Sequence, residues 1–244
     1  MVTDYDAIAD KYPEIEAISI RYYLELPSLL AALGDLRGQT VLDLACGTGA
    51  YSRMFAEAGA EKVVGVDISN EMLEYARAAE AARPLGIEYH HSDVAELPDL
   101  GTFDLVAAVY LLHYSPTEAH IAKVCDRIAA HIRPGGRFVS AILNPDLDRS
   151  KLAYDQYGFT GRVEKGDTVD EVILELQMPP YMALHANCWS RAQYEQAMKA
   201  AGLTDIEWIP FHVSQAGIDK SGKEHWDYYL ANPHATIVTA RKPG

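Results

Sequence analysis

Positive charge is what this chain has least of: 21 Lys and Arg stand against 35 Asp and Glu, a formal net charge of −14 at pH 7. A polyanionic partner needs clustered Lys and Arg to neutralise its phosphates, so the deficit argues against nucleic acid. Cysteine is scarce too. Cys46, Cys125 and Cys188 are odd in number and far apart, which fits neither a disulfide framework nor a zinc knuckle and suits a reducing cytoplasm. No window stays apolar over the roughly 18 residues that a membrane span requires. The opening, Met1 to Asp6, lacks the basic start and apolar core of a secretory signal. Repeats and low-complexity tracts are missing, and the histidines and cysteines show no metal-ligand spacing. These absences predict a cytoplasmic monomer or homodimer that requires no metal and takes a small molecule, with neither nucleic acid nor a membrane as partner.

What is present is an alternation of strand and helix. Thr40 to Ala45 is an apolar run ending in Cys46-Gly47-Thr48-Gly49, and Ala50 to Gly59 reads as a helix. Lys62 to Asp67 predicts a second strand, followed by a helix that Ser69 caps. Gly86 to Asp93 and Phe103 to Val109 predict strands three and four. Ser115-Pro116-Thr117-Glu118 has the form of a helix start, with Ser115 as cap, Pro116 at the first position and Glu118 closing a capping box. Pro134-Gly135-Gly136 turns the chain into strand five, Arg137 to Leu143. Strands joined by helices predict an α/β fold around a parallel, doubly wound sheet.

Ahead of that core, Thr3 to Tyr12 and Ser19 to Leu33 predict helices, the first interrupted by Pro13 and the second closed by Gly34. After Pro145 the rhythm breaks. Residues 146–188 hold one good strand, Val169 to Leu176, and read as an insertion over the sheet's carboxyl edge. Ser190 to Ala201 predicts a helix with a Ser190–Gln193 capping box. Two more strands follow, near Ile206 to His212 and Ala235 to Arg241, with His225, Trp226, Tyr228 and Tyr229 clustered between them, Tyr228 and Tyr229 as packing for the last hairpin. The expected organisation is one domain: a helical cap (1–34), a cofactor-binding core (35–145), a substrate-lid insertion (146–188) and a C-terminal helix with strands (189–244).

A glycine turn between strand and helix lets backbone approach a ligand closely, and a bare Gly-x-Gly leaves several nucleotide cofactors open. The dinucleotide fingerprint asks for a third glycine where this chain has Ser52. Asp67 stands twenty residues beyond Gly47 at the end of strand two, where a carboxylate accepts ribose hydroxyls. Asp93 ends strand three, within reach of an adenine amino group.

Val41 to Gly49, Val66-Asp67-Ile68-Ser69, Ser92-Asp93-Val94, Phe103 to Val106 and Arg133 to Gly136 together resemble the consecutive motifs of class I S-adenosylmethionine-dependent methyltransferases. Ala45 stands where that family usually has glycine. The resemblance implies a Rossmann-like seven-stranded sheet with the last strand antiparallel, S-adenosyl-L-methionine as cofactor and S-adenosyl-L-homocysteine as product. It implies that the Ala45–Gly49 turn, through Ala45 and Gly47, passes the methionine moiety, with Asp43 anchoring the turn or the amino group. Asp67 is implied on the ribose, Ile68 and Met72 around adenine, Asp93 and Val94 at its edge, and Val109 and Tyr110 under the sulfonium. Met72 also reads as ordinary helix packing.

The ends, Tyr5-Asp6-x-x-Ala9-x-x-Tyr12, Trp189-Ser190 and Trp226 to Leu230, are similar to small-molecule methyltransferases of bacterial secondary metabolism, the toxoflavin synthase type among them. That likeness implies Tyr12 at the cofactor's carboxylate and Tyr5 on the substrate side. His113, just past strand four, is the candidate base for an acceptor that must lose a proton, or else a residue ordering that loop. Tyr22, Tyr181, His185 and Trp189 are candidate substrate contacts, and an aromatic wall of this kind suits a planar acceptor. The implied reaction is in-line transfer of a methyl group to a nitrogen, oxygen or carbon atom. A non-catalytic S-adenosylmethionine-binding protein and an NAD-dependent dehydrogenase on the same fold stay open as alternatives.

Overall fold

The computed structural model describes residues 5–6, 19–177 and 181–244. Most of the expected first helix, with Tyr12 and Pro13, lies outside the described residues. The apolar run becomes strand β1 (Thr40–Leu44), buried at four of its five residues, as a parallel strand covered on both faces must be. It lies between β2 (Lys62–Asp67) and β4 (Phe103–Val109), with β3 (Glu88–His91) beyond β2 and β5 (Ile132–Leu143) beyond β4. Two late strands, β9 (Thr204–Ile209) and β10 (Ala235–Arg241), complete a seven-stranded sheet in the order β3-β2-β1-β4-β5-β10-β9. β10 runs antiparallel to both neighbours. Strand alternation splits the core in two. Val41, Leu105, Ala107 and Val139 pack one face, and Leu42, Val106, Ala108 and Phe138 the other.

A π-helical turn, Arg21–Glu25, runs straight into helix α1 (Leu26–Leu33), which stops at Gly34 with φ 64°. Helices α2 (Ala50–Glu57) and α3 (Asn70–Ala82) follow β1 and β2. The Ser69 hydroxyl caps α3 by accepting from the Met72 amide at 3.1 Å. Helix α4 (Glu118–His131) begins two residues later than its sequence signature predicts, with Thr117 as its cap. A cap residue must lend its carbonyl to the first helical turn. The Ser115 carbonyl is already taken by Asn187 Nδ2 at 2.9 Å and Trp189 Nε1 at 2.8 Å. Helix α5 (Arg191–Ala200) carries the Ser190–Gln193 capping box in full.

The insertion holds more strand than the sequence shows. Besides β7 (Glu171–Leu176), β6 (Phe159–Glu164) and β8 (Ala183–Asn187) form a three-stranded antiparallel sheet with β7 at its centre. β6 and β8 bury little and carry Gly161, Arg162, His185 and Asn187, so their alternation is weak. The late aromatic cluster lies on helices, not on a hairpin. Helices α6 (Gln215–Ser221) and α7 (Lys223–Leu230) connect β9 to β10. Trp226 and Tyr229, three apart and therefore on one helical face, are buried, whereas Tyr228 is 56% exposed.

Candidate functional site

The carboxyl ends of β1 to β4 open into a cleft of about 1410 Å³, where loops leaving a parallel sheet place ligands. Its floor is the turn after β1. Ala45, Gly47 and Gly49 all take positive φ (57°, 55° and 77°), and a Cβ on Gly49 would overlap the Tyr89 hydroxyl, so glycine is required there twice over. Asp67 Oδ2 accepts from the Gly47 amide at 2.7 Å and Oδ1 from the Ser69 amide at 2.8 Å. Burial raises its pKa against the pull of those amides. Asp93 Oδ1 accepts from the Ala95 amide at 2.8 Å and so orders the turn that follows β3. Of the positions expected at the cofactor, Ala45, Gly47, Asp67, Ile68, Met72, Asp93, Val94, Val109 and Tyr110 line this cleft.

Asp43 does not line it. The residue is 1% exposed, and its Oδ2 accepts from the Ser52 hydroxyl at 2.6 Å. Its carboxyl therefore holds the turn and α2 together from beneath. Burial pushes its pKa up to about 7, with the Asp67 charge adding to the shift. Ser52, where a dinucleotide fingerprint has glycine, is the donor in this bond.

Beside the cleft is a second cavity of about 770 Å³. Phe159, Leu174, Leu176, Leu184 and Ala186 of the small sheet form an apolar wall, and Arg21, Glu25, His113 and His234 supply polar points. Tyr5, Tyr110 and Tyr114 line both cavities. The Tyr5 and Tyr114 hydroxyls are hydrogen-bonded, their rings edge-on at 5.7 Å. Tyr110, with φ 63°, turns sharply off β4 and donates its hydroxyl to Glu25 Oε2 at 2.5 Å.

Glu25 is 1% exposed and also accepts from the Tyr51 hydroxyl and from Arg21 Nε at 3.3 Å. The π turn that carries Arg21 and Glu25 thus ties the chamber to the glycine turn through Tyr51. Sequence reasoning passed over Glu25, although a lone acid in the apolar stretch Tyr22 to Leu33 is a readable signal of a buried charge with a partner. Tyr114, Phe159 and His234 had no such signal.

His113 is 3% exposed and lines the chamber, but its geometry does not suit the base expected of it. The Leu143 amide, facing the β4 side beyond that strand's end, donates to His113 Nδ1 at 3.3 Å. Nδ1 is the acceptor, so the proton sits on Nε2 and that nitrogen is a donor. Burial pushes the pKa of the ring down to about 3.

The four expected substrate contacts lie elsewhere. Tyr22 and Tyr181 are 61% and 71% exposed. Alternation along β8 turns Leu184 and Ala186 into the chamber and His185 to the opposite face, where its Nδ1 is 3.2 Å from Glu171. Trp189 is buried and its indole bonds the Ser115 carbonyl. Among the described residues no group of three or more His, Cys, Asp or Glu side chains gathers to hold a metal ion, and no helix is long and apolar enough to cross a membrane.

Residues 41–136 match a family model described as a methyltransferase domain. The chain is 33% identical over 161 residues to a demethylmenaquinone methyltransferase of Lactococcus lactis, covering 63% of this chain and 62% of the relative. It is 30% identical over 149 residues to a ubiquinone biosynthesis O-methyltransferase of Sodalis glossinidius, covering 59% and 58%. The alignments thus span roughly three fifths of those relatives' length. A crystal structure of an S-adenosylmethionine-dependent methyltransferase from Mesorhizobium loti superposes with a TM-score of 0.66 at 24% identity, over 89% of this chain and 97% of that one. The fold is that of the Rossmann-like methyltransferases.

Proposed function

We propose that the protein is an S-adenosylmethionine-dependent methyltransferase acting on a small, mainly apolar, planar acceptor. The observation that carries this reading is the pair of cavities joined at Tyr5, Tyr110 and Tyr114. One has a carboxylate at the end of β2 and another at the end of β3, the second has an apolar wall, and the two meet under the end of β4. The residues present fit the cofactor: Asp67 for the ribose, Asp93 and Val94 for the adenine edge, Ile68 and Met72 for its faces, and the Ala45–Gly47 backbone for the methionine moiety. When bound, the cofactor supplies an electrophilic methyl group on a sulfonium.

The chain's own work is alignment and exclusion of water. Tyr110 stands at the junction, held by Glu25, and the small sheet closes the far side of the chamber as a lid. If the acceptor is a hydroxyl, Glu25 is the carboxylate in the chamber wall able to take its proton, in place of His113. Oε2 accepts only from Tyr110 among the described residues, which leaves it a free lone pair. The relatives named for ubiquinone and demethylmenaquinone methylation favour a quinone-like ring as the kind of acceptor. A dehydrogenase is disfavoured because Ser52 is bonded to Asp43 where a pyrophosphate fingerprint packs glycine. Calorimetry with S-adenosylhomocysteine tests the assignment. Micromolar binding is expected, and preferential binding of NADH or no binding at millimolar ligand would refute it.

A further inference from the structure

Two imidazoles in the chamber wall have no task in the reading above. His113 lies on the loop after β4 and His234 at the start of β10, and both line the apolar cavity. Each has its Nδ1 occupied from behind. The Leu143 amide donates to His113 Nδ1 at 3.3 Å. The Tyr229 hydroxyl lies 2.8 Å from His234 Nδ1 and donates to it when the hydrogen of that ring is on Nε2. The Leu143 amide fixes His113 as the tautomer with hydrogen on Nε2, and the Tyr229 hydroxyl allows His234 the same form.

Among the described residues neither Nε2 has a protein partner, and neither is sealed in, the buried polar side-chain atoms lacking partners being the Tyr89 and Tyr194 hydroxyls. Both nitrogens are therefore reachable from the cavity that the rings line. Burial keeps the rings neutral, His113 pushed down to about 3 and His234 to about 4. Phe159 packs 5.1 Å from the His234 ring and Tyr114 4.3 Å from the His113 ring, so neither can swing away freely.

We propose that His113 and His234 form a neutral donor pair that binds a carbonyl oxygen of the methyl acceptor, making a planar carbonyl compound the substrate class. Two N–H donors lining one cavity suit a carbonyl oxygen, which offers two lone pairs. An aromatic or conjugated frame suits the wall of Phe159, Leu174 and Leu184. The inference rests on the methyltransferase reading, which supplies the role of the chamber.

Acetophenone, with ethylbenzene as its carbonyl-free counterpart, is the probe, added to protein saturated with S-adenosylhomocysteine. The infrared carbonyl stretch of bound acetophenone should lie below its position in alkane solvent. Its affinity should fall about fivefold in His113→Phe and again in His234→Phe, the equivalent of one neutral hydrogen bond each. The stretch should move toward the alkane position with each change, which a purely structural role would not produce. His234→Phe guards against misfolding at His113, since it spares the Leu143 amide. An alkane-like stretch in the wild type, a stretch unmoved by either variant, or equal or absent binding of the two probes to the loaded protein overturns the donor pair. Failure to bind S-adenosylhomocysteine at all instead overturns the methyltransferase reading.

Discussion

The two cavities are built on opposite principles. The cleft is made from consecutive strand ends of one sheet, so its carboxylates, Asp67 and Asp93, stand at the ends of β2 and β3, and backbone amides hold them in place. The chamber is assembled from the π turn, the loop after β4, the inserted sheet and the start of β10, segments separated by up to about 200 residues along the chain. Register within one sheet positions the first; side-chain packing between distant segments positions the second. Damage to the cleft should therefore appear in cofactor affinity, and damage to the chamber in turnover.

Glu25→Gln breaks that separation most sharply. With a hydroxylated acceptor, turnover should fall about 100-fold or more if Glu25 takes the proton, while S-adenosylhomocysteine affinity stays within about twofold; equal losses in both would merge the two sites. Asp67→Ala should act the other way round. Calorimetry should show the cofactor weakened by about 1.5–3 kcal/mol, the value of charge-assisted hydrogen bonds, and unchanged affinity would place the ribose elsewhere.

Asp43 tests whether the floor of the cleft is structural. Its folded pKa is raised from 3.8 to about 7. Its contribution to stability is therefore complete below the unfolded value and lost as pH rises through 7. Asp43→Asn keeps an oxygen for Ser52 without that penalty. Relative to the wild type it should gain on the order of 4 kcal/mol between pH 4 and pH 8 in denaturant melts, and a constant difference across that range would disprove the linkage. The smallest effects belong to Tyr22→Ala and His185→Ala, both outside the two cavities. Steady-state kinetics should stay within about twofold, and a selective rise in KM would bring either residue back to the substrate.

Much of the cleft was legible because its cues are local. Strand periodicity, the Gly47–Gly49 turn and the acid ending each strand are properties of a few adjacent residues, and parallel pairing converts them into one surface. Asp43 was legible as a turn residue but not as a buried one, because the Ser52 hydroxyl reaches it only once α2 folds back over β1. The start of α4 shows the same limit. Ser115 has every local mark of a cap, and it fails because Trp189 and Asn187, more than 70 residues away, occupy its carbonyl.

The sequence by itself determined the order of strands and helices from β1 to β5, the conformation of the turn after β1 and the carboxylates at the ends of β2 and β3, since each follows from steric and hydrogen-bonding needs within a short segment. Only the tertiary structure decided which side chains share the chamber. A short, half-exposed strand such as β8 shows too little alternation to be read as a strand, so nothing local brought its residues to the chamber. Packing against the loop after β4 chose Leu184 and Ala186 over His185. What stands behind each imidazole, the Leu143 amide at His113 and the Tyr229 hydroxyl at His234, is likewise a product of tertiary packing.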